Sequence, residues 1–290
     1  MNHLVSIFTP SYNQGRFIGD CIASVANQTY RPIEHIICDG GSTDETLDVL
    51  RGAPEHVRWV SEPDRGQSHA LNKALAMSQG EIIGWLNSDD AYADRRAVEA
   101  AVGAFERRPE VGVVYGHTLL ISADNRLLQF LWAPPYREWL MDRLTPFGQP
   151  SVFIRRSVIP EPFVREDLRY VMDYDLWRRL RPATRFERID TIVGVDRHQP
   201  MRKVLERGYF DEREAYARDE RIERSSPAML KGLKIALRWS GIWSTTRLDL
   251  QPAFNLDAGS AIARVVRQAL VPRSRMMLAT AASAPQREAS

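Results

Sequence analysis

Two acids, Asp89 and Asp90, stand side by side just past the apolar run 82–86, preceded by the amide of Asn87 and the hydroxyl of Ser88. Adjacent carboxylates repel unless a cation or a proton comes between them. An all-oxygen donor set of this kind suits Mg2+ or Mn2+, which bind through one or two carboxylates plus a substrate's phosphates. Either acid qualifies as the ligand, and acids are equally at home at a helix start, where they meet the positive end of the dipole. A third carboxylate, Asp39, ends the run 34–38. It can accept hydrogen bonds from ribose hydroxyls or a base N–H, or it can stabilise a turn as an Asx residue. Arg65, in Glu62-Pro63-Asp64-Arg65-Gly66, has the fork that grips a diphosphate, though a lone loop arginine is also an ordinary surface residue.

The elements that must carry these groups follow from periodicity. Short apolar runs at 4–9, 34–38, 57–61 and 82–86 alternate with helical patterns at 16–28, 42–50 and 68–77. That alternation is the mark of a parallel sheet with crossover helices, whose ligands sit beyond the carboxyl ends of the strands. Ser42 and Glu45 have capping-box spacing for the second helix, with Asp44 as a cap or dipole partner, and Gly80 ends the third. A helix over 94–107 and a strand over 111–115 come next, after which the simple alternation fades.

Composition sets outer limits. The 290 residues are 44% hydrophobic and 26% charged, as in an ordinary globular protein, and a net charge of +2 gives no reason to expect a nucleic-acid partner. Cys21 and Cys38 form neither a metal spacing nor a disulfide framework, which favours a reducing compartment. No signal-peptide core precedes Leu4, and no apolar stretch is long enough to span a bilayer, so the expectation is a cytoplasmic chain.

Four segments taken together go further: Val5-Ser6-Ile7-Phe8-Thr9-Pro10-Ser11-Tyr12-Asn13, Cys38-Asp39-Gly40-Gly41-Ser42-Thr43-Asp44, Asp64-Arg65-Gly66-Gln67 with Ala70-Leu71-Asn72, and Leu86-Asn87-Ser88-Asp89-Asp90. In this order and spacing they resemble glycosyltransferase family 2, over about residues 4–200. The resemblance implies the GT-A fold, an α/β architecture with a mostly parallel, doubly wound sheet, here with a helical C-terminal extension. It also implies a UDP- or GDP-sugar donor, a divalent metal and inversion at the anomeric carbon. By position it has Thr9, Pro10 and Tyr12 bordering the nucleobase and Asp39 and Asp64 binding base or ribose. Asn87, Ser88 and Asp89 then form the Asp-x-Asp element, with Asn in place of its first acid. Asp89 is the metal ligand, or Asp90 if the register slips by one.

The second half carries weaker likenesses. The segment 147–156 resembles one beside the acceptor pocket, which makes Gln149 an acceptor-side residue. Val171-Met172-Asp173-Tyr174-Asp175-Leu176-Trp177 resembles the segment bearing the family's base, with Met172 where an acid is commoner. Asp173 matches the base, and attack on the anomeric carbon calls for a carboxylate to take the acceptor proton. Asp175 is its rival, and both residue types also cap helices. His198 falls where the family often places a histidine near metal and diphosphate.

The expected organisation is a catalytic domain over 1–200, its nucleotide-sugar half ending at 115 and its acceptor half at 200. A helical extension over 201–270 and a disordered tail over 271–290 follow. Within the extension, 202–224 reads as a solvated helix. Residues 229–243 put leucines on one face and Lys231, Lys234 and Arg238 in a stripe, which suits either an interface with an anionic membrane at the inner face or packing on the catalytic domain. The acceptor expected is a saccharide or a lipid-linked one. The rival reading is a non-catalytic sugar-nucleotide or glycan-binding module on the same fold.

Overall fold

The computed structural model describes residues 3–141, 145–199 and 206–222. Its first half is the expected alternation: β1 (Val5–Ser11), α1 (Gly15–Ala26), β2 (Ile33–Asp39), α2 (Thr46–Arg51), β3 (Val57–Ser61), α3 (Gln67–Met77) and β4 (Ile82–Trp85). The period of two in β1 and β4 sends Ile7 and Ile82 to one face of the sheet, and Phe8 and Ile83 to the other. On the first face α1 packs through Cys21 and Val25, whose helical spacing with Ile18 and Ile22 gives the helix one buried side. On the second, α3 packs through Ala70, Leu71 and Ala74.

Beyond β4 come β5 (Ala91–Tyr92), α4 (Ala97–Arg107), β6 (Val111–Ser122), β7 (Leu127–Leu131), α5 (Glu138–Met141), β8 (Val152–Arg155), α6 (Met172–Leu180), β9 (Arg185–His198) and α7 (Arg207–Asp219). The sheet order is β3-β2-β1-β4-β8-β6-β9-β5, with β7 also paired to β6. Its β3-β2-β1-β4 half is parallel. β8 then runs antiparallel to both β4 and β6, while β6 and β9 pair in parallel. The sheet is therefore mixed overall. It is parallel only where helices cross between neighbouring strands.

Three local expectations change. Ser42 and Glu45 form no capping box: the Ser42 hydroxyl turns back to Asp39 and Asn13, and Asp44 caps α2 instead, accepting from the Thr46 amide and hydroxyl. The strand expected over 111–115 extends to Ser122, since β9 and β7 cover its far end. The helix expected to be solvated over 202–224 is docked where it is described: Tyr216 of α7 is buried in the core with Met172 and Trp177, and Tyr209 packs against them. Residues 229–243 and 271–290 lie outside the described residues. Among those described, no helix is long and apolar enough to cross a membrane. Cys21 and Cys38 are free and buried.

Candidate active site at the strand ends

The first three strands end level with one another, Ser11 beside Asp39 and Asp39 beside Ser61. Asp39 is fully buried, and its own turn fills its carboxylate. Oδ2 accepts from the Gly41 amide (3.1 Å), the Ser42 amide (2.9 Å) and the Ser61 hydroxyl (2.6 Å), while Oδ1 accepts from the Ser42 hydroxyl (2.5 Å). Gly41 sits at φ +82°, the left-handed region glycine enters without steric cost. Asp39 thus builds the rim, the Asx role its residue type allows. Asp64 reaches over that rim: a Cβ added to Gly40 would come within 3.0 Å of its carboxylate, while its Oδ1 accepts from the Gly66 amide at 2.8 Å. Thr9 points the other way. Its buried hydroxyl lies 2.9 Å from His35 Nε2 and 3.6 Å from Cys21 Sγ, beneath the rim rather than on it. Pro10 is buried and Tyr12 exposed.

The loop after β4 is held differently. Asn87 has every polar valence of its side chain in use. Its Oδ1 accepts from Trp85 Nε1 (2.8 Å) and Gln67 Nε2 (2.7 Å), and its Nδ2 donates to Asp90 Oδ2 (3.0 Å) and Gln149 Oε1 (3.0 Å). Gln149 donates in turn to the Trp85 carbonyl (2.6 Å), so both amides are struts of the loop. This gives a physical reason for Asn at the motif's first position: an acid there would face the Asp90 carboxylate with no proton to donate. Asp90 is buried and also accepts from the Arg197 amide (3.1 Å). Burial, with Asp89 and Asp196 close by, pushes its carboxyl well above the usual carboxylate range. Ser88 is buried beside it.

Asp89 is the more open acid of the pair. Its Oδ2 accepts from Gln199 Nε2 at 2.7 Å, and its carbonyl accepts from Arg197 Nε at 2.9 Å. Arg197 is buried yet ties four elements together. Beyond the motif, it pairs with Asp20 of α1 (2.9 Å), bonds Asn125 in the β6–β7 turn, and lies 4.9 Å over the Phe17 ring. His198, at the end of β9, is exposed. Among the described residues no group of three or more His, Cys, Asp or Glu could by itself hold a metal. A carboxylate at Asp89 nevertheless fits a Mg2+- or Mn2+-type ion that takes its remaining ligands from donor phosphates and water.

α3 joins this loop to the second half of the chain. At its N-terminus Gln67 holds Asn87, and the next residue, Ser68, lies 2.8 Å from Met172 Sδ and donates to the Leu168 carbonyl at 3.2 Å. Met172 opens α6, so Asp173 stands one residue past a contact with the helix that braces the acid loop. Asp173 is half-buried, its Oδ1 accepting from the Tyr174 amide at 2.7 Å. Asp175, its rival, is buried in an ion cluster with Arg179 (2.7 Å) and Arg165 (3.7 Å) and accepts from the Tyr216 hydroxyl (3.1 Å). Arg65 is exposed and pairs with Glu166 at 2.6 Å. Arg65 and Asn72 together hold the Glu166 carboxyl below its ordinary range. Arg197 and Gln199 carried no local sequence signal, because each acts on a partner far away in the chain.

Comparison with known proteins adds to this geometry. A sequence profile described as glycosyl transferase family 2 matches residues 6–158. A chondroitin synthase of Pasteurella multocida (strain Pm70) is 32% identical over 194 residues, 65% of this chain but only 20% of that protein. A chondroitin synthase of Escherichia coli is 32% identical over 197 residues, 65% of this chain and 28% of that one. The chain therefore spans under a third of the length of these curated relatives. Among solved structures, S. aureus TarS 1–349 in complex with UDP-GlcNAc has a TM-score of 0.59 at 16% identity, covering 73% of this chain and 65% of that one. A mannosyltransferase of Pyrobaculum calidifontis in complex with GDP-Man and Mn2+ has a TM-score of 0.55 at 21% identity, covering 96% and 79%. At those identities the structural likeness speaks to the fold.

Proposed function

The chain belongs to glycosyl transferase family 2 and has the GT-A fold, and on that premise we propose that it moves a sugar, with inversion, from a UDP- or GDP-sugar to a saccharide or lipid-linked acceptor. One observation carries this reading. The N-terminus of α3 touches both the Asn87–Asp90 loop and the start of α6, so a donor held at the strand ends would have Asp173 within reach of its sugar. Asp64, Tyr12 and the rim built by Asp39 and Pro10 are the base and ribose contacts in this proposal, with Thr9 bracing β1 from beneath through His35. Asn87 and Ser88 shape the pocket beneath the sugar, and Gln149 stiffens its acceptor side. Asp89 is the metal ligand and His198 the second candidate, with Asp90 the peg that orients them.

The chemistry is an in-line displacement. Asp173 takes the proton of the acceptor hydroxyl as its oxygen bonds the anomeric carbon. The bond from that carbon to the diphosphate oxygen breaks on the opposite face, its electron pair leaving with the nucleotide. A bound Mg2+ or Mn2+ would supply Lewis acidity to the departing diphosphate. Arg65 adds positive charge there by exchanging Glu166 for phosphate oxygens.

Thermal shift with UDP-GlcNAc, UDP-glucose and GDP-mannose, each with and without Mn2+, should show metal-assisted stabilisation by one nucleotide class. With that donor, Asp173→Asn should lower kcat about 10²- to 10⁴-fold while leaving donor affinity in place. Unchanged turnover in that variant removes Asp173 as base, and no stabilisation by any nucleotide sugar removes the transferase reading altogether. The rival is a donor-binding module without turnover, favoured by Asn87 and Met172 standing where acids are commoner; donor binding with no nucleotide release would support it. The reading extends to a cytoplasmic location, with peripheral membrane contact through 229–243 and a catalytic unit over 1–200. Sedimentation with anionic liposomes tests the membrane contact.

A further inference from the structure

The helix that bears Asp173 starts without a cap of its own, since Val171 at its N-cap makes no side-chain hydrogen bond to it. The amides just upstream are instead taken by one carboxylate from far along the chain. Glu212, on α7, accepts from the amides of Arg169 (2.9 Å), Tyr170 (2.6 Å) and Val171 (2.9 Å). Hydrogen bonds to an ionised acceptor are shorter and stronger than neutral ones, and three converging on one side chain fix both the position and the direction of the segment. The same helix grips α6 a second time. Tyr216 donates to Asp175 at 3.1 Å, and its ring meets Tyr174 edge-on at 6.0 Å. Glu206, just ahead of α7, accepts from the Tyr170 hydroxyl at 2.6 Å. Asp173 lies two residues past the last of the three amides, between the Glu212 hydrogen bonds on one side and the two Tyr216 contacts on the other.

We propose that Glu212 is a positioning residue for the general base: it sets where Asp173 stands without touching donor or acceptor, and the catalytic unit thereby extends past residue 200 to take in α7. The proposal rests on the reading of Asp173 given above. Its physical basis is that a displacement of about 1 Å at a reacting group can cost about 10²-fold in rate. Donor binding, by contrast, depends on the strand ends, none of which Glu212 contacts.

The test uses the full chain with Mn2+ and either UDP-GlcNAc or GDP-mannose, following release of UDP or GDP. Glu212→Gln should lower kcat about tenfold or more with the donor KM within about twofold of wild type. In an Asp173→Asn background the same substitution should cost nothing further, because a base that is absent cannot be misplaced. A purely structural role would instead multiply the two losses, and that result overturns the proposal, as does wild-type kcat in Glu212→Gln. Wild-type kcat in Asp173→Asn alone removes the base reading, a different failure. Should Glu212→Gln not fold, Glu212→Asp, which keeps the charge and withdraws it by one methylene, carries the same cycle with the same criteria. Release of neither nucleotide by the wild-type chain overturns the base assignment and this role with it.

Discussion

The two acid-bearing loops of the site are built on opposite plans. Asp39 is held by Gly41, Ser42 and Ser61, at sequence separations of 2, 3 and 22. Asn87, Asp89 and Asp90 are held by Gln149, Gln199 and Arg197, at separations of 62, 110 and 107. The first loop is furnished by its own strands and could form within the β3-β2-β1-β4 half. The second takes its geometry from β9 and from the turn before β8. The candidate site is therefore half local and half borrowed, and the borrowed half is the one nearer the proposed chemistry.

The comparison can be broken most easily at Arg197. Arg197→Met removes a buried cation from Asp20, the Asp89 carbonyl and Asn125, and should cost about 3 kcal/mol of unfolding free energy by urea titration. It should weaken Mn2+-dependent donor binding as well; unchanged stability and binding would mean that β9 does not hold the loop. Asn87→Asp comes next. It deletes two donated hydrogen bonds and sets a carboxylate against Asp90, for a loss of about 2 kcal/mol without metal. Thermal scans in EDTA and in Mn2+ should show a larger metal-induced rise in Tm than wild type, and a variant as stable as wild type in EDTA would refute the strut role.

The local half has its own weak point in acid. Burial pushes the His35 imidazole down to about 3, so it stays neutral under the rim while the unfolded chain protonates near 6.5. The folded state then binds fewer protons across that window. Stability is full above pH 6.5 and falls by about 1.4 kcal/mol per pH unit as the pH drops toward 3. Tm measured between pH 7 and 5 should show this slope, and His35→Gln should flatten it. The smallest effect belongs to Ser61→Ala, which takes one of four donors from Asp39 for about 1 kcal/mol. If that loss matched the loss in Arg197→Met, the distinction between the two loops would disappear.

What could be read from sequence follows the same division. The alternation through β4, the turn after β2 and the acid motif all depend on residues within a few positions of one another, and their patterns were visible. Asn87 was legible as a departure from the family motif, but its cause lay in Asp90 and Gln149, which only folding brings to it. Ser42 and Glu45 had the right spacing for a capping box, yet Asp39 and Asn13 outcompeted the helix for the hydroxyl. The burial of Tyr216 could not be inferred from α7 itself, where seven of the 13 residues are charged; it depends on the apolar side of α6 being there to receive it.

Arg197 has a further consequence for how the chain matures on the ribosome. Synthesis runs from the N-terminus, so the strands whose ends form the rim emerge long before the guanidinium that locks the acid loop. Until β9 arrives, that loop holds adjacent carboxylates without the cation and amides that restrain them. A nascent chain stalled before that point would carry a formed rim and an unfinished centre, so the ability to do chemistry is withheld until nearly the whole sheet has been made.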